Sequence, residues 1–252
     1  ISTVACFAYA FSKYPDLRLH KEDWRITGLD LKRHIVQGVP LGLQFSVLAI
    51  GIIVMQSVVV KFDMIDGQMV SHAAQNGFGA ANKLNSLIMT PVNGLGAAMT
   101  SFTAQNLGAG YTHRIRKGIR SAGLCSAAFC IVISVLVCAF AAPLMGIFID
   151  PAETAILAAG VHYLHIEGAC YLGIGILFLL YGYYRAVNQP QMSVVLTIAS
   201  LGTRVALAYL LSATPLGVTG IWLSVPIGWA LADAIGIGYY LKKHRAKYAV
   251  QA

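Results

Sequence analysis

The sequence predicts an all-α integral membrane protein, a bundle of six transmembrane helices, and three observations carry that prediction. Of its 252 residues, 57% are hydrophobic and 11% charged, with a mean hydropathy of +0.68, whereas soluble domains hold roughly 25% charged residues. Six apolar stretches each supply the roughly 20 helical residues that cross a hydrocarbon core of about 30 Å. Fifteen of the eighteen Lys and Arg residues fall on alternate connections between those stretches. Positive connections stay cytoplasmic, so the net charge of +8 is topological. It is not a nucleic-acid footprint, because no basic cluster is interleaved with base-stacking aromatics on a polar domain.

The elements follow in order. Residues 1–11 are apolar but would rise only about 16 Å as a helix, so they are expected to be the truncated end of a preceding span in a chain cut on its N-terminal side. Residues 12–35 make a cytoplasmic connection with an interfacial helix: between His20 and Gln37, Trp24, Ile26, Leu29 and Ile35 are mixed with charges, a composition suited to the membrane surface. Asp30 is expected to cap its continuation into the first span. Residues 36–242 form the six-helix lobe, with spans near 36–60, 71–104, 119–149, 152–184, 192–211 and 216–241. Turn formers punctuate these spans: DxxDG from Asp63, NLGAG from Asn106, IDPAE from Ile149, VNQPQ from Val187 and SATPLG from Ser212. Residues 243–252 are the tail.

The basic connections set the orientation. The first holds Lys13, Arg18, Lys21, Arg25, Lys32 and Arg33, the third Arg114, Arg116, Lys117 and Arg120, the fifth Arg185, and the tail Lys242, Lys243, Arg245 and Lys247. The intervening connections have Lys61 as their one basic residue and the acids Asp63, Asp66, Asp150 and Glu153. The C-terminus is therefore expected in the cytoplasm.

Inside the spans, side chains that break the apolar rule are the informative ones. Glu167 and Asp233 fall near the bilayer middle, with Lys83 and Arg204 as basic counterparts, and each would cost a few kcal/mol or more facing lipid. That cost directs them to the bundle interior or a water-filled cavity. Asn82, Ser86, Thr90, Asn93, Ala97 and Thr100 recur at steps of three or four, which lines them along one helix face. Ser193, Thr197, Ser200 and Arg204 do the same. Tyr163, Glu167 and Tyr171 are spaced by fours, so two phenols can flank one carboxylate, while Gln37 and Gln44 stand a heptad apart. Small residues at Gly38 and Gly42, Gly118 and Ala122, and Gly228, Ala232 and Gly236 allow close helix approach; Pro40, Pro91 and Pro226 allow bends. Hydrogen bonding between helices is the plainer account of the Ser and Thr residues, and a transport role is the better account of Glu167.

Other chemistries find less support. Cys6, Cys125, Cys130, Cys138 and Cys170 are odd in number, sit in apolar stretches and form no CxxC pair, so buried free thiols are expected. His162 and His165 stand beside Glu167, yet no second His or Cys pair converges on them for a metal. HExxH, GxSxG and GxxxxGK[ST] are absent. No enzyme activity, catalytic residue or metal is expected.

Four strings then matter together: FTAQNLGAG (102–110) followed by HRIRKGIR, GVPLGLQFSVLAIG from Gly38, PVNGLGAAM from Pro91, and YRAVNQP from Tyr184. In this order and spacing they resemble the second half of the multidrug and toxic compound extrusion (MATE) family, over nearly the whole chain. The resemblance implies one lobe of a twelve-helix transporter, with substrate held between this lobe and a missing N-terminal six-helix lobe. It implies no cofactor beyond a coupling H+ or Na+, with Glu167 matching the acid that some members use on their tenth span and Tyr163 or Tyr171 as a neighbouring oxygen ligand. No acid lies between residues 36 and 60, where Gln44 occupies the position of another family acid; in this the chain is similar to the DinF-like branch.

The reading is a cation-coupled antiporter of a bacterial plasma membrane, exporting amphipathic cationic small molecules or drugs. Its pathway residues are Gln44, Asn82, Ser86, Asn93, Thr100, Thr197, Arg204 and Asp233. Two alternatives stand beside it: a lipid-linked saccharide flippase, which would call for a more cationic cavity, and a non-transporting membrane interaction subunit.

Overall fold

A computed structural model describes residues 2–15, 27–65 and 68–244. Residues 1–39 and 40–252 are separate compact units. In the first, α1 (Ser2–Lys13) is a single short apolar helix with Phe7 stacked on Phe11 at 5.8 Å. Helix α2 (Gly28–Val60) begins in this unit. The helix opens on a reciprocal cap: the Asp30 backbone N–H donates to Thr27 Oγ1 at 3.3 Å, while the Thr27 N–H and hydroxyl both donate to Asp30 Oδ2. Thr27 is thus the capping residue and Asp30 its partner three positions on, the capping-box arrangement, not the cap by itself.

Leu29 and Ile35, expected in an interfacial helix, belong to α2, which continues unbroken into the first span. Trp24 and Ile26 of that expectation lie outside the described residues, as do Asp66 and the basic residues Arg18, Lys21, Arg25, Arg245 and Lys247.

The second unit is helical apart from one small hairpin, β1 (Met64–Ile65) against β2 (Gln68–Met69). Asp63, just before it, is 1% exposed. Its carboxylate accepts the N–H groups of Ala74 at 3.0 Å and Gln75 at 2.8 Å, and so caps α3 (Ala73–Ile88) from eleven residues away. The residue at the capping position itself, His72, makes no side-chain cap, and four helix-start N–H groups otherwise lack partners. This acid, read as a loop charge in the sequence, holds the hairpin and α3 together.

Helix α4 (Thr90–Gly108) follows after Met89 alone, with Pro91 in its first turn, where proline's missing N–H costs nothing. Then come α5 (Thr112–Ala139), the short α6 (Ala141–Met145), α7 (Thr154–Gly168), α8 (Tyr171–Ala186), α9 (Pro190–Ser212) and α10 (Val218–Tyr239). Helices α2, α5, α9 and α10 are each long and apolar enough to cross a membrane, and α7 with α8 makes a fifth crossing bent by 58°. Together α3 and α4 coincide with the second expected span; α3 alone is short, at 16 residues, and the polar stripe dilutes the apolarity of the pair. Six expected spans thus become α2, α3 with α4, α5, α7 with α8, α9, and α10.

The tightest pairings are α9 with α10, α4 with α8 and α3 with α7. At the second, a Cβ on Gly182 would lie 2.2 Å from the Gly96 carbonyl oxygen, and Thr100 Oγ1 reaches the Gly182 carbonyl at 3.1 Å. Close approach also explains Gly118, against Phe102, Gly228, against α9, and Gly236, against Leu180 of α8 and Leu196 of α9. Gly38 and Gly42 face open space instead, so that expected contact is not made.

Candidate transport cavity

Residues from five helices line a cavity of about 470 Å³ in the second unit. It collects Gln44 from α2, Asn93 and Thr100 from α4, and Thr197 and Arg204 from α9, five of the eight pathway residues expected from sequence. Phe45, Phe178, Tyr181 and Trp229 provide aromatic walls, and Arg185 a second cation; its lining contains no acid. The site therefore combines apolar surface with a few polar groups, the usual composition of small-molecule pockets.

Periodicity explains the convergence. The stripe on α9 presents Thr197, Ser200 and Arg204 to one side, where Thr197 Oγ1 contacts Tyr181 Oη at 3.0 Å and donates to Ser193 O at 2.9 Å. Arg204 places its guanidinium 5.2 Å from the Trp229 ring centroid, a cation–π contact. Its Nε has no hydrogen-bond partner among the described residues.

The stripe on α3 and α4 is real, but only its second part reaches the cavity. Asn82 and Ser86 donate to the carbonyls of Phe78 and Asn82, both at 2.9 Å, as short polar side chains do when the preceding turn is in reach. Neither lines the cavity, and Ser86 is exposed. Both precede the break at Met89, beyond which Asn93, Ala97 and Thr100 turn inward.

Beside the cavity lies a buried acid cluster. Glu167 is 3% exposed, Tyr163 2% and Tyr171 fully buried. The polar side chains acting on the Glu167 carboxyl are Tyr163, Arg204 and Asn85, and its Oε2 has no hydrogen-bond partner among the described residues. Tyr163 packs edge-on against Phe78 at 5.2 Å and Trp222 at 4.9 Å, so α3, α7 and α10 meet in an aromatic wall one turn before Glu167.

The continuous helix assumed for Tyr163, Glu167 and Tyr171 does not exist. The chain breaks at Ala169 and Cys170, where Cys170 N–H bonds to Glu167 O, and α8 departs at 58°. Tyr163 shares a helix face with Glu167, while Tyr171 opens α8 across the bend. Broken backbone within a span is tolerated only where protein or water surrounds it; the break next to Glu167 marks the place structurally.

Asp233 stays out of the cavity. It is 7% exposed on α10, one turn beyond Trp229, where a Cβ on Gly173 of α8 would approach its carboxylate to 3.7 Å. Lys83 is exposed rather than interior, on a second cavity of about 520 Å³ with Gln75, Asp150 and Glu153. His162 Nε2 lies 3.3 Å from Thr219 Oγ1, and His165 Nε2 lies 3.1 Å from Cys138 O, so the two imidazoles serve different contacts. Of the cysteines, Cys130 alone is buried, and Cys6 and Cys125 are exposed; an apolar span turned to lipid exposes its thiols as readily as its Val and Leu. Sequence reasoning passed over Asn85, Arg185, Phe178, Tyr181 and Trp229. Asn85 lies off the Asn82 and Ser86 stripe, and the aromatics read as ordinary apolar span.

A helical membrane bundle with a walled polar cavity beside a buried acid defines a membrane transport protein. The MatE family profile matches residues 51–210, and the chain belongs to that family, whose members are transporters and not enzymes. It is 30% identical over 86% of its length to the "Probable multidrug resistance protein YpnP" of Bacillus subtilis, of which it covers 46%. A second relative, 29% identical over 73% of the chain, is the "FAD transporter" of Shewanella oneidensis, covered to 39%. Among solved structures, an outward-facing multidrug resistance MATE family transporter of the MOP superfamily superposes with a TM-score of 0.83 at 18% identity, over 99% of this chain and 54% of that one. The chain thus spans about half the length of the proteins it matches.

Proposed function

We propose that this chain is the C-terminal lobe of a cation-coupled antiporter of a bacterial plasma membrane, and that the complete protein exports small amphipathic molecules. The observation that carries the reading is the convergence of Gln44, Asn93, Thr100, Thr197 and Arg204 on one cavity. A self-satisfied stripe in a purely structural bundle has no reason to leave such a volume. Glu167 is the coupling residue, binding H+ or Na+ with Tyr163 beside it. It is charged chemistry held where lipid would not tolerate it, next to a broken helix that supplies conformational freedom. Rocking of this lobe against the N-terminal one would expose the cavity to each side in turn.

Replacing Glu167 with Gln in the complete protein tests the reading. Normal membrane insertion with loss of ethidium efflux down an imposed cation gradient is expected; unchanged gradient-driven efflux would show a merely structural acid.

Cationic cargo is the first reading, because the aromatic faces of Phe178, Tyr181 and Trp229 and the neutral oxygens beside them suit an amphipathic cation. Anionic cargo is a second, favoured by Arg185 and Arg204 on a wall without acids. The name of the Shewanella relative, an FAD transporter, is that of an anion carrier.

A further inference from the structure

A further cavity, of about 270 Å³, has no part in the transport reading. It is a crevice lined by Met99 of α4, Ile119 and Gly123 of α5, Leu179 of α8, Ile237 of α10, and Leu241 in the π-helical turn that follows (Tyr240–His244). Of its lining residues, Tyr183 and Tyr240 carry a side-chain oxygen. The crevice reaches from Ile176 to Tyr183 along α8, roughly 10 Å of helix. Nothing lies within 4 Å of a Cβ built on Gly123, and Ile237 and Leu241 are exposed, so the crevice has an open, apolar side on the flank of two spans.

Its mouth carries the marks of headgroup depth. Tyr183 packs edge to face on Tyr184 and on Tyr240, both at 5.3 Å, and Tyr184 on Tyr239 at 5.8 Å; tyrosines gather at the boundary between membrane and water. Lys243 Nζ stands 5.3 Å from the Tyr239 ring centroid. Arg116 and Arg120 stand three residues before Ile119 and Gly123, the spacing that stacks side chains on one helix face, and Lys242 and Lys243 directly follow Leu241. All four cations are exposed. None of α4, α5, α8 or the residues after Asp233 contains an acid to offset them.

An apolar slot that opens sideways beneath a cluster of unopposed cations matches one kind of occupant, a molecule with an apolar tail and a negative head. From this arrangement we infer that the crevice holds one anionic phospholipid, with an acyl chain between α5, α8 and α10 and its phosphate among Arg116, Arg120, Lys242 and Lys243. On the proposed orientation this is the cytoplasmic leaflet, whose surface is negative. Helices α4 and α8 turn Thr100 and Phe178 to the transport cavity and Met99 and Leu179 to the crevice. The bound chain thus packs against the backs of two helices that line the cavity. The inference stands apart from the coupling role of Glu167.

Native mass spectrometry of the complete protein tests it, with equal amounts of dioleoylphosphatidylglycerol and dioleoylphosphatidylcholine added in detergent. The two lipids share their chains and differ in charge. The wild type should retain one phosphatidylglycerol molecule, preferred about tenfold over phosphatidylcholine. Gly123→Leu, which fills the crevice, should lose that molecule. Gly123→Ala leaves most of the space and should keep it, which separates loss of room from loss of fold. Replacing Arg116 and Arg120 together with Gln should abolish the preference. Replacing Arg114 and Lys117 with Gln removes the same charge, but these residues, five and two before Ile119, fall on other sides of α5, and the preference should survive. If Gly123→Leu retains phosphatidylglycerol as the wild type does, or the two charge pairs behave alike, general surface charge holds the lipid and the inference fails. A wild type that retains no phospholipid would mean that the N-terminal lobe or a second copy covers the crevice, and would overturn it as well.

Discussion

Single residues decide where this chain may be charged inside the membrane, and Asp63 shows how a charge becomes structural. It is buried without a basic partner among the described residues, yet its two oxygens accept the Ala74 and Gln75 N–H groups at the start of α3, where the helix dipole also favours an anion. Asp63→Ala should lower stability by about 1–2 kcal/mol, read as earlier thermal unfolding in detergent. Asp63→Asn, which keeps an acceptor but not the charge, should fall between the two; a wild-type melting temperature in the alanine variant would show that the cap contributes nothing. Nothing local marks this role in the sequence, because the capping residue lies across a hairpin from the helix it caps. Glu167 was legible for the opposite reason: a carboxylate midway along an apolar run stands out without knowledge of the fold. Tyr171 was assigned to the same helix face by spacing alone, and spacing assumes a helix without breaks.

At the scale of elements, the apolar runs and turn formers predicted six spans, because lipid demands helices and helices demand length; α2, α5, α9, α10 and the bent pair of α7 with α8 are long and apolar enough to cross, whereas α3 with α4 is not. Their internal breaks were less legible. Pro91 announces the interruption between α3 and α4, whereas the sequence GAC from Gly168 carries no comparable mark for the 58° bend between α7 and α8. That bend depends on which neighbours fill the space, a tertiary fact. Close packing of α4 on α8 depends on bare backbone at Gly96 and Gly182. Gly182→Ala would set a methyl 2.2 Å from a carbonyl oxygen and must push the helices apart, at a cost of about 1–3 kcal/mol. Gly202→Ala, on α9 with nothing within 4 Å of its would-be Cβ, should be neutral or stabilise by up to about 1 kcal/mol through helix propensity. Equal melting temperatures for the two variants would mean that α4 and α8 do not pack as described.

At the scale of the whole molecule, the question is which side of the membrane each connection faces. From fifteen basic residues on alternate connections we propose that α1's C-terminal end, the α4–α5 and α8–α9 connections and the tail are cytoplasmic. The hairpin after α2, the Asp150 connection and the α9–α10 turn would then fall outside. Six crossings between residues 36 and 242 would return the chain to the side on which it started, so on this proposal the two ends of that segment agree. In the complete protein with its native cysteines removed, single cysteines at Ser71 and Ala152 should react with a membrane-impermeant maleimide in intact cells. Cysteines at Ala109 and Asn188 should react only after the membrane is opened. The reverse pattern would invert the orientation but keep the crossings. Labelling of Ser71 and Ala109 from the same side would instead mean that α3 and α4 together do not cross. Asn93 and Thr100 would then not line a transmembrane cavity, so the transport reading depends on that single crossing more than on any other helix in the lobe.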